Sequence, residues 1–176
     1  MSAFLLTIST IVLVLVVASL PWREIGSSNG GTEPYYLGGW CYAPGSCVYY
    51  GDRGAPLRDV FPLTFGLVLT ALALSVVELI LLVGAMFVKT RGLGILVTGI
   101  LGSVALLAAP IRLYFGLSGS QYSGSYAYNG VSYAWREGPG WFLAFFVAAF
   151  FLIATVVAFF TARDVTRLGA ERVSPP

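Results

Sequence analysis

Two cysteines and one buried-looking acid carry most of the chemistry this chain could perform. Cys41 and Cys47, in the stretch GGWCYAPGSC, are the only cysteines among 176 residues. Thiol–disulfide catalysis favours a Cys-x-x-Cys spacing, which is absent, and no second pair exists to relay electrons. Strand-forming residues flank Ala43-Pro44-Gly45-Ser46, so the pair instead reads as a staple across a short hairpin. Closing so short a loop contributes about 2 kcal/mol. Two reduced thiols are the other reading of the same residues. Histidine is missing altogether. That excludes His-ligated haem, His-ligated zinc or copper, and His-based triads. No catalytic residue, metal site or cofactor is expected, and the chain is not read as an enzyme.

The elements that must position these residues follow from composition. Hydrophobic residues make up 57%, charged residues 10%, and mean hydropathy is +0.83, against about 25% charged residues in a soluble domain. Four runs approach or exceed the roughly 20 apolar residues a span requires: residues 3–20, 61–88, 93–115 and 141–161. The first has no basic residue ahead of it and is read as an uncleaved helix. One four-helix membrane domain over residues 1–176 is expected, with outer loops at 21–60 and 116–140, a Lys89-Thr90-Arg91-Gly92 link, and a cytoplasmic tail at 162–176. The net charge of +2 has no basic block behind it, so nucleic acid is not expected as a partner.

An even number of spans puts both termini on one side. Lys89, Arg91, Arg163, Arg167 and Arg172 share that side, against Arg23, Arg53, Arg58, Arg112 and Arg136 on or near the other. The count is tied, but two of the four link residues are basic and short loops weigh most. A Cys41–Cys47 bridge persists only on an oxidising side. Both termini are therefore placed in the cytoplasm and the protein in the plasma membrane.

The second outer loop reads SYAYNGVSYAW, with Asn129-Gly130 between two alternating runs, the strongest short-range hairpin signal. A two-residue turn pairs Tyr128 with Val131 and Tyr126 with Tyr133, and brings Trp135 onto the same face. These rings, with Tyr49 and Tyr50 after the second cysteine, are a candidate interaction surface or an aromatic belt at the lipid headgroups. The fold class expected is an all-α membrane protein, a four-transmembrane-helix bundle carrying a small extracellular β-sheet built from its two outer loops.

Inside the membrane, Glu78 costs on the order of 2.5 to 3.5 kcal/mol to insert. It lies about 15 Å from the inner end of its helix, at the level of Ser103 on the next one. The readings are a protonated acid hydrogen-bonded between helices, or an ion or proton site. Arg112, about 28 Å up its helix, is expected to reach Glu24, Asp59 or Glu137 at the outer surface. Gly94, Thr98 and Gly102 form a small-residue stripe for close helix packing.

Several of these signals occur in a familiar order: Pro21-Trp22-Arg23 after the first helix, Gly38-Gly39-Trp40 followed by Cys41 and Cys47, Arg58 before the second helix, and Glu137-Gly138-Pro139-Gly140-Trp141 opening the fourth. In this the chain resembles a claudin or, more widely, a member of the claudin and peripheral myelin protein superfamily. The resemblance implies a disulfide-stapled extracellular sheet anchored by Trp22, Trp40, Arg23 and Arg58. It also implies partners: membrane lipid, and either copies of the chain or a larger membrane-protein complex. The function it implies is lateral assembly or cell-surface, paracellular-type contact; the alternative is an accessory subunit of a channel, transporter or respiratory complex. With the last residues reading Val173-Ser174-Pro175-Pro176, no PDZ-type tail ligand is expected.

Overall fold

The computed structural model describes residues 2–41, 47–48, 57–87, 92–120 and 122–171. The elements run α1 (Ser2–Ser19), β1 (Arg23–Ser27), β2 (Thr32–Tyr36), β3 (Gly39–Cys41), β4 (Cys47–Val48), α2 (Leu57–Phe87), α3 (Leu93–Leu117), β5 (Ser125–Tyr128), β6 (Val131–Glu137) and α4 (Pro139–Glu171). All four helices contain a stretch long and apolar enough to cross a bilayer: Ser2–Ser19, Leu57–Ala85, Leu93–Leu117 and Pro139–Asp164. The chain is an integral membrane protein by that measure. The helices form a ring in which α1 packs on α2, α2 on α3, α3 on α4 and α4 back on α1, with a further α2–α4 contact across the diagonal.

Two helices outrun their hydropathy. α2 begins at Leu57 rather than Phe61, and α4 runs from Pro139 to Glu171, well past the expected end at 161. The apolar run of α4 stops at Arg163, but Ala, Arg, Leu and Glu in TARDVTRLGAE are good helix formers. Charge ends the span without ending the helix. Pro139 sits at the first helical position, where its missing N–H removes no intrahelical bond.

The loops between α1 and α2 and between α3 and α4 join in one antiparallel sheet of order β4-β3-β2-β1-β6-β5. Both hairpins expected from sequence are present. Asn129 (φ 49°) and Gly130 (φ 76°) make the turn, with Tyr128 opposite Val131 and Tyr126 opposite Tyr133. In the other, Trp40 lies opposite Val48 and Cys41 opposite Cys47. Ala43 to Ser46 and the segment from Tyr49 and Tyr50 through Arg53, with Lys89, Arg91 and Arg172, lie outside the described residues. An additional hairpin, β1–β2, turns at Asn29-Gly30-Gly31, with Gly30 at φ 86°. β1 is the keystone, since Ile25 lies opposite Glu33 of β2 on one side and Trp135 of β6 on the other.

Apolar packing falls into two clusters. The larger joins the sheet to the bundle through Trp22, Ile25, Tyr35 and Leu37 with Val17, Phe61, Leu113 and Leu117. The smaller, at the opposite end, gathers Ala3, Leu82, Ala85, Ile95, Ala158 and Ala162. Between them each helix contributes buried hydroxyl or acid groups: Thr7 and Thr10, Ser75 and Glu78, Ser103, and Thr155.

Candidate functional site

Trp22 is the foot of the sheet. Its side chain is fully buried, and its indole Nε1 donates to the Val17 carbonyl at 2.8 Å, capping one of the free carbonyls at the end of α1. Its backbone is gripped from two sides: Trp22 N–H donates to Tyr35 O at 2.8 Å, and Gly138 N–H to Trp22 O at 2.9 Å. Gly140 N–H, one of the unsatisfied amides at the start of α4, donates to Pro21 O at 2.9 Å. The Gly-Pro-Gly of the fourth-helix motif is there for clearance. A Cβ on Gly138 would collide with the Pro21 carbonyl, and one on Gly140 would come within 2.7 Å of Trp22 Cδ1.

Arg23, next in sequence, is buried beneath the sheet. One Nη donates to Tyr122 O at 2.8 Å, the other reaches Glu137 Oε1 at 3.3 Å, and the guanidinium lies 5.9 Å from the Trp135 ring centre. Burial pulls its pKa below the ordinary arginine value, an effect Glu137 partly offsets. Arg23 thus ties three segments together. Arg58 does not do so among the described residues: it is exposed in the first turn of α2 and donates to its neighbour Asp59 at 3.1 Å. For Trp40, Cys41 and Cys47 the strand positions alone are described.

Above Arg23 the sheet carries an aromatic face. Trp135 meets Tyr35 edge-on at 4.8 Å and Tyr122 at 5.8 Å, and Tyr126 stacks on Tyr133 at 5.1 Å and 14°. Alternation along β6 leaves Tyr133 and Trp135 half-buried while Ser132, Ala134 and Arg136 point outward. β5 is one edge of the sheet, unpaired on its outer side among the described residues and exposed at all four positions, with Tyr128 65% and Tyr126 46% accessible. A groove of about 470 Å³ runs between this edge and the Tyr122-Ser123 turn.

In the bundle, Glu78 is fully buried, and its partner is not Ser103. Thr155 Oγ1 of α4 lies at hydrogen-bonding distance from Glu78 Oε2, 3.0 Å across the diagonal. The tight small-residue stripe of α3 also differs from the expected Gly94, Thr98 and Gly102. Gly94 is exposed and Thr98 donates to carbonyls of its own helix, Gly94 O and Ile95 O. Close approaches to α4 are at Gly99, where a Cβ would collide with Thr155, and Gly102, where it would collide with Phe151, and Gly116 is also tight against Val60 of α2. Arg112 is exposed and takes none of its expected acids, since Glu24 pairs with Arg136 at 3.0 Å, Glu137 with Arg23, and Asp59 with Arg58.

Substitutions at Glu78 are expected to separate hydrogen bonding from bulk. Glu78→Gln keeps shape and hydrogen-bonding capacity and should unfold like wild type in a detergent titration. Glu78→Leu removes the Thr155 partner and should lower stability by about 1 kcal/mol, near the size of interhelical hydrogen bonds in membranes.

No protein-family model matches the chain, and no curated protein matches it.

Proposed function

We propose that this is a non-enzymatic, claudin-like membrane protein whose stapled sheet mediates lateral assembly or contact between cell surfaces. The observation that carries the reading is the free β5 edge with its tyrosines. A strand exposed at every residue, uncharged and without proline, lacks two of the devices that usually blunt a sheet edge, charge and proline. Tyrosine also supplies large contact area at small entropic cost. The bundle holds that edge rigidly through Trp22 and Arg23, which makes it a preorganised contact surface rather than a loose loop. Native mass spectrometry after mild solubilisation tests the reading. A series of self-polymers supports it; a stoichiometric foreign partner assigns the chain to a larger complex instead.

The Cys41–Cys47 staple belongs to the same proposal. Directly opposed residues of an antiparallel pair have Cα atoms about 4.5 to 5.5 Å apart, inside the usual disulfide range. Non-reducing peptide mapping should find these two cysteines joined within one chain; free thiols or an interchain link would refute the staple. The sheet is assigned to the outside of the plasma membrane and both termini to the cytoplasm. A tag at Gly130 should react on intact cells, and tags at the termini only after permeabilisation.

A further inference from the structure

The polar layer between the two apolar clusters is incomplete as a set of hydrogen bonds. Five of its six side chains have partners. Thr7 donates to Ala3 O, Thr10 to Leu6 O and Ser75 to Leu72 O, each within its own helix. Thr155 has two acceptors within reach of one hydroxyl, Phe151 O at 2.9 Å and Glu78 Oε2 at 3.0 Å. A threonine hydroxyl carries a single hydrogen. A protonated carboxyl gives each contact its own hydrogen, with Thr155 donating to Phe151 O and Oε2 donating to Thr155 Oγ1, whereas an ionised one leaves a single hydrogen to be shared between two acceptors.

Two atoms remain. Glu78 Oε1 and Ser103 Oγ are buried and have no hydrogen-bonding partner, with Glu78 fully inaccessible and Ser103 4% accessible. Ser103 is the sixth side chain, the one hydroxyl of the layer that does not bond a carbonyl of its own helix. It sits one turn along α3 from Gly99, against which Thr155 packs. An unsatisfied buried hydroxyl or carbonyl is destabilising, and the usual remedy is an internal water with two to four polar partners. Among the described residues no lysine or arginine belongs to the layer to balance an ionised acid.

We propose that this layer is a hydrated proton site: Glu78 carries a proton shared with Thr155, and one water joins Glu78 Oε1 to Ser103 Oγ. The water donates to Oε1 and accepts from the serine hydroxyl. The site takes a proton and a neutral water, and it locks α2, α3 and α4 at mid-membrane independently of what the sheet binds.

Infrared spectroscopy of the full chain in lipid vesicles at neutral pH tests this. Wild type should show the carbonyl stretch of a protonated carboxylic acid that Glu78→Gln removes. Ser103→Ala, which adds no bulk, should move that band to higher frequency as Oε1 loses its donor. It should also abolish an internal-water O–H band identified in wild type by exchange into H2(18)O. A carboxylate signal in place of the acid band overturns the proton assignment. An acid band that stays in place in Ser103→Ala, with no exchangeable water band, overturns the shared water.

Discussion

Trp22→Ala is expected to be the most damaging single truncation in the chain, lowering stability by about 3 to 5 kcal/mol. The indole is fully buried in the cluster that joins sheet to bundle, and it caps α1 through Val17 O. Removing it opens a cavity where three segments converge and strands a carbonyl. Trp22→Phe keeps most of the volume but not the N–H, so it should recover most of the loss and leave a deficit of about 1 kcal/mol, the net worth of one hydrogen bond. Denaturant titration in detergent, followed by circular dichroism, measures both. Equal losses for Ala and Phe would mean that the hydrogen bond, not the packing, holds the sheet down.

Gly99→Val is expected to have the second largest effect. Its side chain would collide with Thr155, pushing α3 from α4 and breaking the bond to Glu78. Overpacking of this kind typically costs about 1 to 3 kcal/mol, and the lost Thr155–Glu78 bond adds to it. Thr155→Ala removes the two closest atoms, Oγ1 and Cγ2, but keeps Cβ at 2.6 Å, so it relieves part of the collision and the double variant should be more stable than the sum of the single losses predicts, as for residues in direct contact. Gly66→Ala is the control: a Cβ there meets nothing within 4 Å, and alanine in a helix should stabilise by up to about 1 kcal/mol. Strict additivity at Gly99 and Thr155 would contradict the close crossing.

Spans were legible because hydropathy reports them directly; helix ends were not, because α4 continues on helix-forming charged residues after its apolar run. Asn129-Gly130 announced its hairpin through the positive φ that this turn demands at both positions. Asn29-Gly30 carries the same dipeptide, but Pro34 and the polar residues Glu24, Ser27, Thr32 and Glu33 dilute the alternation of β1 and β2. Depth along a helix placed Glu78 level with Ser103, and both belong to the polar layer. It could not name Thr155, because that contact runs across the diagonal and α4 is aromatic on every side. Arg112 was likewise assigned to the correct end of its helix, yet the register of β1 on β6 gives Glu24 to Arg136 and Glu137 to Arg23.

Site-specific photo-crosslinking in native membranes tests most directly whether the free tyrosine edge is where copies meet. A photoreactive residue replacing Tyr128, on the exposed edge, is compared with one replacing Val104, which is 56% accessible on the apolar surface of α3. The account predicts a ladder of chain-to-chain adducts from position 128 and little from position 104. Adducts from 104 with none from 128, or adducts from 128 to a different protein alone, would contradict it.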